Sequence, residues 1–363
     1  MPAISAAAPG RPAPSAFHLW LRVRKAAARQ LRRPLVGLPG AFPATADVGP
    51  HDYPFDPTYG YDLRRLCAVE PPLPPDGFVE FWQARYQAAL GIDPQPRLRP
   101  SALRHAQFCV FDLEYSSSDG FTIGGWLLWP TTQPPRQGFV VGHGYGGIES
   151  PSFVLPSLSA VYLFPCFRGI ARSRRWPISD DPNYHVLHDI HLRERYIIAG
   201  CVEDLWTAVS ALLQLAPQTA GHLGYLGSSL GGGVGALALA CETRVARAHL
   251  KVPTFGHQAL RLTLPTVGSA AAVQDFAQRH PEVAQTLAWY DAASAARFIR
   301  QPTLVAAALF DPAVAPPGQF AVYNALPGAR QLFVLSAGHF PYAREADEEK
   351  RLLATLHAFF AGL

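Results

Sequence analysis

Apolar residues recur every three to four positions in "DGFVEFWQARYQAAL" (residues 76–90), which puts Phe78, Phe81, Trp82 and Tyr86 on one face of a predicted helix, with Asp76 at its cap position. From residue 106 the pattern changes. "FCVFDLEYSS" and "FTIGGWLLWP" read as two strands joined by the hairpin signal "SSDG". "GFVVGHGYGG" is an apolar strand that runs into glycines, and "AVYLFPCFRG" is another strand. The stretch "AGCVEDLWTAVSALLQLA" predicts a long amphipathic helix; strand "HLGYL", a glycine-rich turn and helix "GVGALALAC" follow. Farther on, "PTLVAAALFD" and "RQLFVLSAGHF" are strands that finish on polar residues, and "EADEEKRLLATLHAFFAGL" is the last helix. Strands alternating with helices imply an α/β fold built on a mostly parallel central sheet flanked by helices. Chemistry in such sheets gathers at the carboxyl ends of the strands. No internal repeat is visible.

The first 75 residues break this grammar. Residues 1–50 are rich in Pro, Ala and Arg and read as a separate basic arm without fixed structure. Residues 51–75 hold too many prolines for regular structure and read as a linker wrapping the body, which is the catalytic domain, 76–363. Within the arm, "FHLWLRVRKAAARQLRR" has the spacing of a basic amphipathic helix for a membrane surface or a partner, and "PLVGLPGAFPATA" resembles an atypical export signal interrupted by Pro and Gly.

Composition narrows the class. A chain of 363 residues, 49% of them hydrophobic, can bury one large core beside this appendage. The net charge of +4 is local, because Arg11, Arg22, Arg24, Lys25, Arg29, Arg32 and Arg33 all precede the first acid, Asp47. The body carries no basic stripe of the kind that displaces counterions, so no nucleic-acid partner is expected. No apolar run is clean and long enough to predict a transmembrane span. The five cysteines are scattered, odd in number and without CxxC spacing, which suggests buried thiols in a reducing compartment, hence the cytoplasm, rather than disulfides or a zinc site.

The turn "GYLGSSLGGG" (224–233) fits a G-x-S-x-G nucleophile elbow in one register only. Centred on Ser229, its flanking positions are Gly227 and Gly231; centred on Ser228 they are both leucines. An ordinary glycine-rich turn has the same composition, but an apolar strand before and an Ala/Leu helix after are what an elbow needs. Ser229 is the candidate nucleophile, and the N–H of Leu230, at the start of the helix, is placed to hold an oxyanion. A serine hydroxyl needs a base, and the base needs an acid that fixes its tautomer. The order expected in this architecture is serine, acid, histidine. Asp311, at the end of one strand, and His339, after the next, satisfy it. "GHGYGG" (142–147) follows a strand, and its Tyr145 N–H is the candidate second oxyanion donor. His143, a competing base, precedes Ser229 and is expected to shape this loop.

Two further features carry weaker readings. His185, His188 and His191 recur every three residues, which suits a helical surface or an oligomer contact better than a metal site. "FRGIARSRRW" (167–176) is an Arg-rich loop for structural hydrogen bonding or an anionic group.

Taken together, "DGFVEFWQ", "GGWLLWP", "HGYGG", "RGIARS", "GSSLGGG", "LFDPAVAPP" and "AGHF" resemble, in sequence and spacing, the motifs of the acetyl xylan esterase and cephalosporin C deacetylase family (carbohydrate esterase family 7, in the α/β-hydrolase superfamily). The resemblance implies Ser229, Asp311 and His339 as a catalytic triad, backbone donors at Tyr145 and Leu230, and Pro253 beside the acyl pocket. It also implies hexamers acting on small-molecule ester substrates without a metal or other cofactor. The chain departs from the family where Ile170 and Leu230 replace glutamines, Phe340 replaces a glutamate, and Phe167 stands where an acid precedes Arg168. A greasier site is the expected result. The function expected is therefore a serine carboxylesterase or deacetylase that cleaves short-chain, chiefly acetyl, esters. An esterase or acyltransferase for a more lipophilic substrate, and a non-catalytic binding protein on the same fold, are the alternatives.

Overall fold

Nine strands make one sheet in the order β1-β2-β3-β5-β4-β6-β7-β8-β9. In the computed structural model they span β1 (Arg97–Pro100), β2 (Phe108–Ser116), β3 (Thr122–Pro130), β4 (Gly138–Gly142), β5 (Val161–Pro165), β6 (Leu223–Ser228), β7 (Val245–Lys251), β8 (Thr303–Ala308) and β9 (Arg330–Leu335). The structure describes Ala46 and residues 48–363, part of a single unit, Phe42–Leu363. Residues 1–45 and 47 of the basic arm, and the helix and export-signal readings attached to it, lie outside the described residues. Strands β1 to β3 pair antiparallel and β3 meets β5 antiparallel, whereas every neighbouring pair from β5 to β9 is parallel. This is an α/β-hydrolase sheet. Its order reverses around β4, with β5 on one side and β6 on the other, so the loops after β4 and β6 open into a shared crevice.

Side chains alternate across the sheet and make two cores. Val161 and Leu163 of β5, and Val305 and Ala307 of β8, face one core; Tyr162, Phe164, Leu304 and Ala306 face the other. The first core is covered by helices α1 (Phe78–Leu90), α2 (Ile197–Leu215), α3 (Leu230–Leu239) and α4 (Pro316–Ala325), and the second by α5 (Glu345–Phe360). Trp82 of α1 meets Trp206 of α2 edge-on at 6.2 Å, and Tyr86 meets the same ring at 5.1 Å.

Three sequence readings need correction. Asp76 does not cap α1: Gly77 occupies the N-cap with φ 81° and no side-chain bond. A cap is worth about 1 kcal/mol, less than the roughly 2–3 kcal/mol from burying each of Phe78 and Trp82, so packing decides where this helix lies. Strand β7 escaped notice because Arg247, His249 and Lys251 interrupt its apolar pattern. Each finds a partner: Arg247 donates to the Phe359 carbonyl, the His249 ring meets the Leu304 carbonyl, and Lys251 pairs with Glu349. The proline-rich segment holds one helical turn, Leu63–Leu66, whose Arg65 N–H is capped by Asp62. Helix α2 has the length and apolar composition of a membrane span, but it is packed inside the fold and carries Glu203 and Asp204 bound to arginines.

Candidate active site

Ser229 turns the chain from β6 into α3 with φ 52° and ψ −110°, a conformation that side chains seldom adopt. Three backbone hydrogen bonds hold it there: its N–H donates to Lys251 at 2.9 Å, and its carbonyl accepts from Gly233 at 3.0 Å and Thr254 at 3.2 Å. The glycine register has a steric cause. A Cβ at Gly227 would collide with the Gly231 carbonyl, and one at Gly231 with the Gly142 carbonyl. Backbone already fills the space in which side chains would stand.

Strands β8 and β9 deliver the acid and the base. Asp311 follows β8 and is completely buried; its Oδ1 accepts from the N–H groups of Ala313 and Val314 at 2.9 and 2.8 Å. Its Oδ2 lies 2.8 Å from His339 Nδ1 and also accepts from Gln319 Nε2 at 2.9 Å. The other ring nitrogen of His339, Nε2, lies 2.9 Å from Ser229 Oγ. A carboxylate can only accept, so Nδ1 carries the ring proton and Nε2 is bare toward the hydroxyl. Burial pushes His339 down, as does Lys251 more weakly, but the charge and hydrogen bond of Asp311 outweigh them and leave its pKa raised. Gly338 lets the two loops approach, since a Cβ there would collide with Asp311 Oδ2.

Two residues that anchor these loops were missed in the sequence. Gln319 of α4 spans the Asp311 carboxylate and the backbone, with its Oε1 accepting from the Ala308 N–H at 2.8 Å. Glu348 of α5, fully buried, accepts from the Ser336 N–H and the Tyr342 hydroxyl at 2.8 Å and so ties down both ends of the His339 loop. Neither sits in a recognisable motif. Their only signal is a polar residue on the apolar side of its helix.

The loop after β4 faces Ser229 from the opposite side. The Gly231 N–H donates to the His143 carbonyl at 2.9 Å and the Gly147 N–H to Gly144 at 3.0 Å; the Tyr145 N–H takes part in neither closure. Leu230 is the first residue of α3, so its N–H has no acceptor within the helix. His143 shapes the loop: Nε2 accepts from the Phe167 N–H at 3.0 Å, which leaves Nδ1–H to donate to the Gly144 carbonyl at 2.7 Å. The Tyr145 hydroxyl lies 3.1 Å from His185 Nδ1, and His185 Nε2 lies 2.9 Å from the Arg168 carbonyl. Since the carbonyl can only accept, Nε2 carries the proton and the tyrosine donates to Nδ1. Burial pushes both imidazoles down to about 4, so both are neutral.

His185 is thus a buried strut rather than a surface group. His191 is exposed, and no metal-holding cluster of His, Cys, Asp or Glu occurs among the described residues. The Arg-rich loop is also structural. Arg168 is buried against Asp204 at 2.7 Å and donates to Ser118; Arg172 pairs with Asp112, Arg174 with Asp180, and Arg175 donates to the Gly120 carbonyl. Their guanidinium charges are engaged within the chain. Pro253 is buried and packs where a Cβ on Gly232 of α3 would touch it.

A serine, a bare imidazole nitrogen and a buried carboxylate in hydrogen-bonded sequence can pass a proton from hydroxyl to ring. Against this geometry, the sequence profile described as acetyl xylan esterase (AXE1) matches residues 70–354. The chain belongs to the acetyl xylan esterase family. It is a carboxylic ester hydrolase, and acetyl esters are its substrate class. Among solved structures, the esterase resembles the acetyl xylan esterase from Paenibacillus sp. R4 with a TM-score of 0.72 and 20% identity, covering 82% of this chain and 99% of that one. It resembles acetyl xylan esterase 1 from Thermoanaerobacterium sp. JW/SL YS485 with a TM-score of 0.70 and 19% identity, covering 83% and 99%. The likeness to the acylaminoacyl peptidase of Pyrococcus horikoshii, at 15% identity and a TM-score of 0.55, covers 71% of this chain and 42% of that one. At these identities the structures bear on the fold alone.

The esterase's departures from its family sort by burial. The Leu230 side chain is completely buried in the first core, so only its backbone faces the crevice. Ile170 is buried beneath the loop after β4, 4.0 Å from where a Cβ on Gly147 would stand. Phe340 alone keeps part of its surface open.

Proposed function

We propose that the esterase hydrolyses short-chain, chiefly acetyl, esters in two steps through Ser229. His339 Nε2 takes the Ser229 proton as Oγ attacks the acyl carbon, and the N–H groups of Tyr145 and Leu230 hold the oxyanion that forms. The carbon–oxygen bond to the alcohol then breaks, and the alcohol oxygen takes the proton from His339. Water repeats the sequence on the acyl-enzyme, releasing the acid and restoring the serine. Asp311 orients the imidazole and balances its charge while remaining a carboxylate. The observation that carries this reading is the unbroken chain from Ser229 Oγ to His339 at 2.9 Å and on to Asp311 at 2.8 Å. Pro253, packed against α3, is assigned to the acyl pocket on the strength of the family resemblance.

Rates on nitrophenyl esters of increasing acyl length, read with a fluorophosphonate label, test the reading. The wild type should label and should prefer acetate, and Ser229→Ala should do neither. A wild type that fails to label, or a Ser229→Ala chain that turns over undiminished, overturns it. Assembly into hexamers belongs to the same proposal; Trp176 at 91% and Tyr184 at 67% exposure support a further contact surface, and sedimentation measures the assembly. Of the five free cysteines, Cys166, Cys201 and Cys241 are buried as expected whereas Cys67 is half-buried and Cys109 exposed; unpaired thiols support a reducing, cytoplasmic setting.

A further inference from the structure

We infer that the esterase receives the alcohol half of its substrate on an aromatic wall beside His339, and that this alcohol carries a flat apolar ring. The inference rests on the reaction proposed above, because that reaction assigns the sides of the site. The leaving alcohol takes its proton from His339 Nε2, so it lies on the histidine side.

That side is built of rings. Phe340 follows His339, Phe310 precedes Asp311, and their centroids are 5.0 Å apart. The segment 51–59 lies along them: His51 is 5.2 Å from Phe310, Tyr53 is 6.1 Å from Phe340, and Phe55 bridges Tyr53 at 5.7 Å and Tyr59 at 5.9 Å. All are within the range of favourable aromatic contact. Phe310 is buried, whereas Tyr53, Phe55 and Phe340 are only half-buried.

The segment is fixed to the catalytic machinery. The Asp311 N–H donates to the Pro57 carbonyl at 3.1 Å, and the Tyr59 hydroxyl donates to the Pro265 carbonyl at 2.8 Å. Asp56 closes the turn by accepting from the Thr58 N–H at 2.9 Å and its hydroxyl at 2.6 Å. Half-open rings held beside the loops that carry Asp311 and His339 leave apolar surface in water until a ligand covers it. At Phe340 a sugar hydroxyl meets a ring that offers no lone pair. A planar apolar group meets a stacking partner instead.

The test compares 2-naphthylmethyl acetate with 2-methoxyethyl acetate, which share the acyl half and have alcohols of similar acidity, and with acetylated xylose. The wild type should favour the naphthylmethyl ester over the methoxyethyl ester in kcat/KM by about tenfold or more. Phe340→Ser and Tyr53→Ser should each shrink that ratio about threefold to tenfold, the size of one lost aromatic contact, while Phe340→Tyr keeps most of it. On the unaltered chain, free 2-naphthylmethanol should slow hydrolysis of 2-methoxyethyl acetate at concentrations where 2-methoxyethanol does not. No preference in the wild type, a higher kcat/KM on acetylated xylose, equal losses on both esters in the variants, or absence of that inhibition overturns the inference. Failure of the wild type to cleave any of the three esters or to take a fluorophosphonate is a different result, which removes the proposed reaction and this subsite with it.

Discussion

The two flanks of Ser229 both use histidine, and they use it in opposite ways. His339 stands beside a buried carboxylate that raises its pKa against the pull of burial, and it keeps a bare nitrogen toward the serine. His143 and His185 have backbone and phenol partners, and burial drives both down to about 4. One ring is equipped to take a proton; the other two serve as fixed, neutral hydrogen-bonding struts. The lesson is that a histidine's neighbours, and above all the presence of a carboxylate, set its task more strongly than its proximity to the site.

The sharpest way to break this comparison is to remove the rings. His339→Ala should lower kcat about 10⁴- to 10⁶-fold with the fold intact by circular dichroism, a loss as large as that from removing the serine itself. Asp311→Asn should cost about 10⁴-fold, because the amide favours the wrong tautomer. Acidity sharpens the same contrast. The base works only when neutral and its pKa is raised, so kcat/KM should fall on acidification along a limb centred above 6.5, the ordinary histidine value. His143 and His185, at about 4, stay neutral throughout that range, so the limb should involve one proton. A limb steeper than one proton, or one centred below 6.5, contradicts the assignment.

On the flank formed by the loop after β4, which carries the proposed oxyanion donor, the expected losses are smaller. His185→Phe deletes the acceptor for the Tyr145 hydroxyl and should lower kcat about tenfold to a hundredfold through a displaced N–H, with KM little changed. His185→Gln, which can accept from the tyrosine and donate to the Arg168 carbonyl, should recover most of it. Equal activity in the two variants would show that the strut leaves the loop where it is. The smallest effect on rate belongs to Gln319→Ala. It leaves the Ala308 N–H without its partner and should destabilise the fold by about 1–3 kcal/mol in urea titration, with a several-fold fall in kcat.

Much of the site was legible because its chemistry is local. Gly227 and Gly231 mark the elbow register, and Asp311 and His339 stand directly after apolar strands, where an α/β sheet presents its reactive edge. Buried anchors were not legible. Gln319 and Glu348 act across distances that no short motif spans, and Arg168 looked available for an anion until Asp204, thirty-six residues away, took its charge. Strand β7 was hidden because its polar side chains are satisfied by α5 and the neighbouring strand, partners that a window along the chain does not contain.

By itself the sequence determined the order of most elements and pointed to the serine, its acid and its base, since each of these is marked by the strand and turn residues immediately around it. Only the tertiary structure decided that His185 is a strut, that the arginines of one loop are spent on ion pairs and hydrogen bonds, and that residues 51–59 lie as a row of rings along Asp311 and His339. These outcomes depend on which groups share a low-dielectric interior and which charges meet there, and such encounters are settled by folding rather than by spacing along the chain.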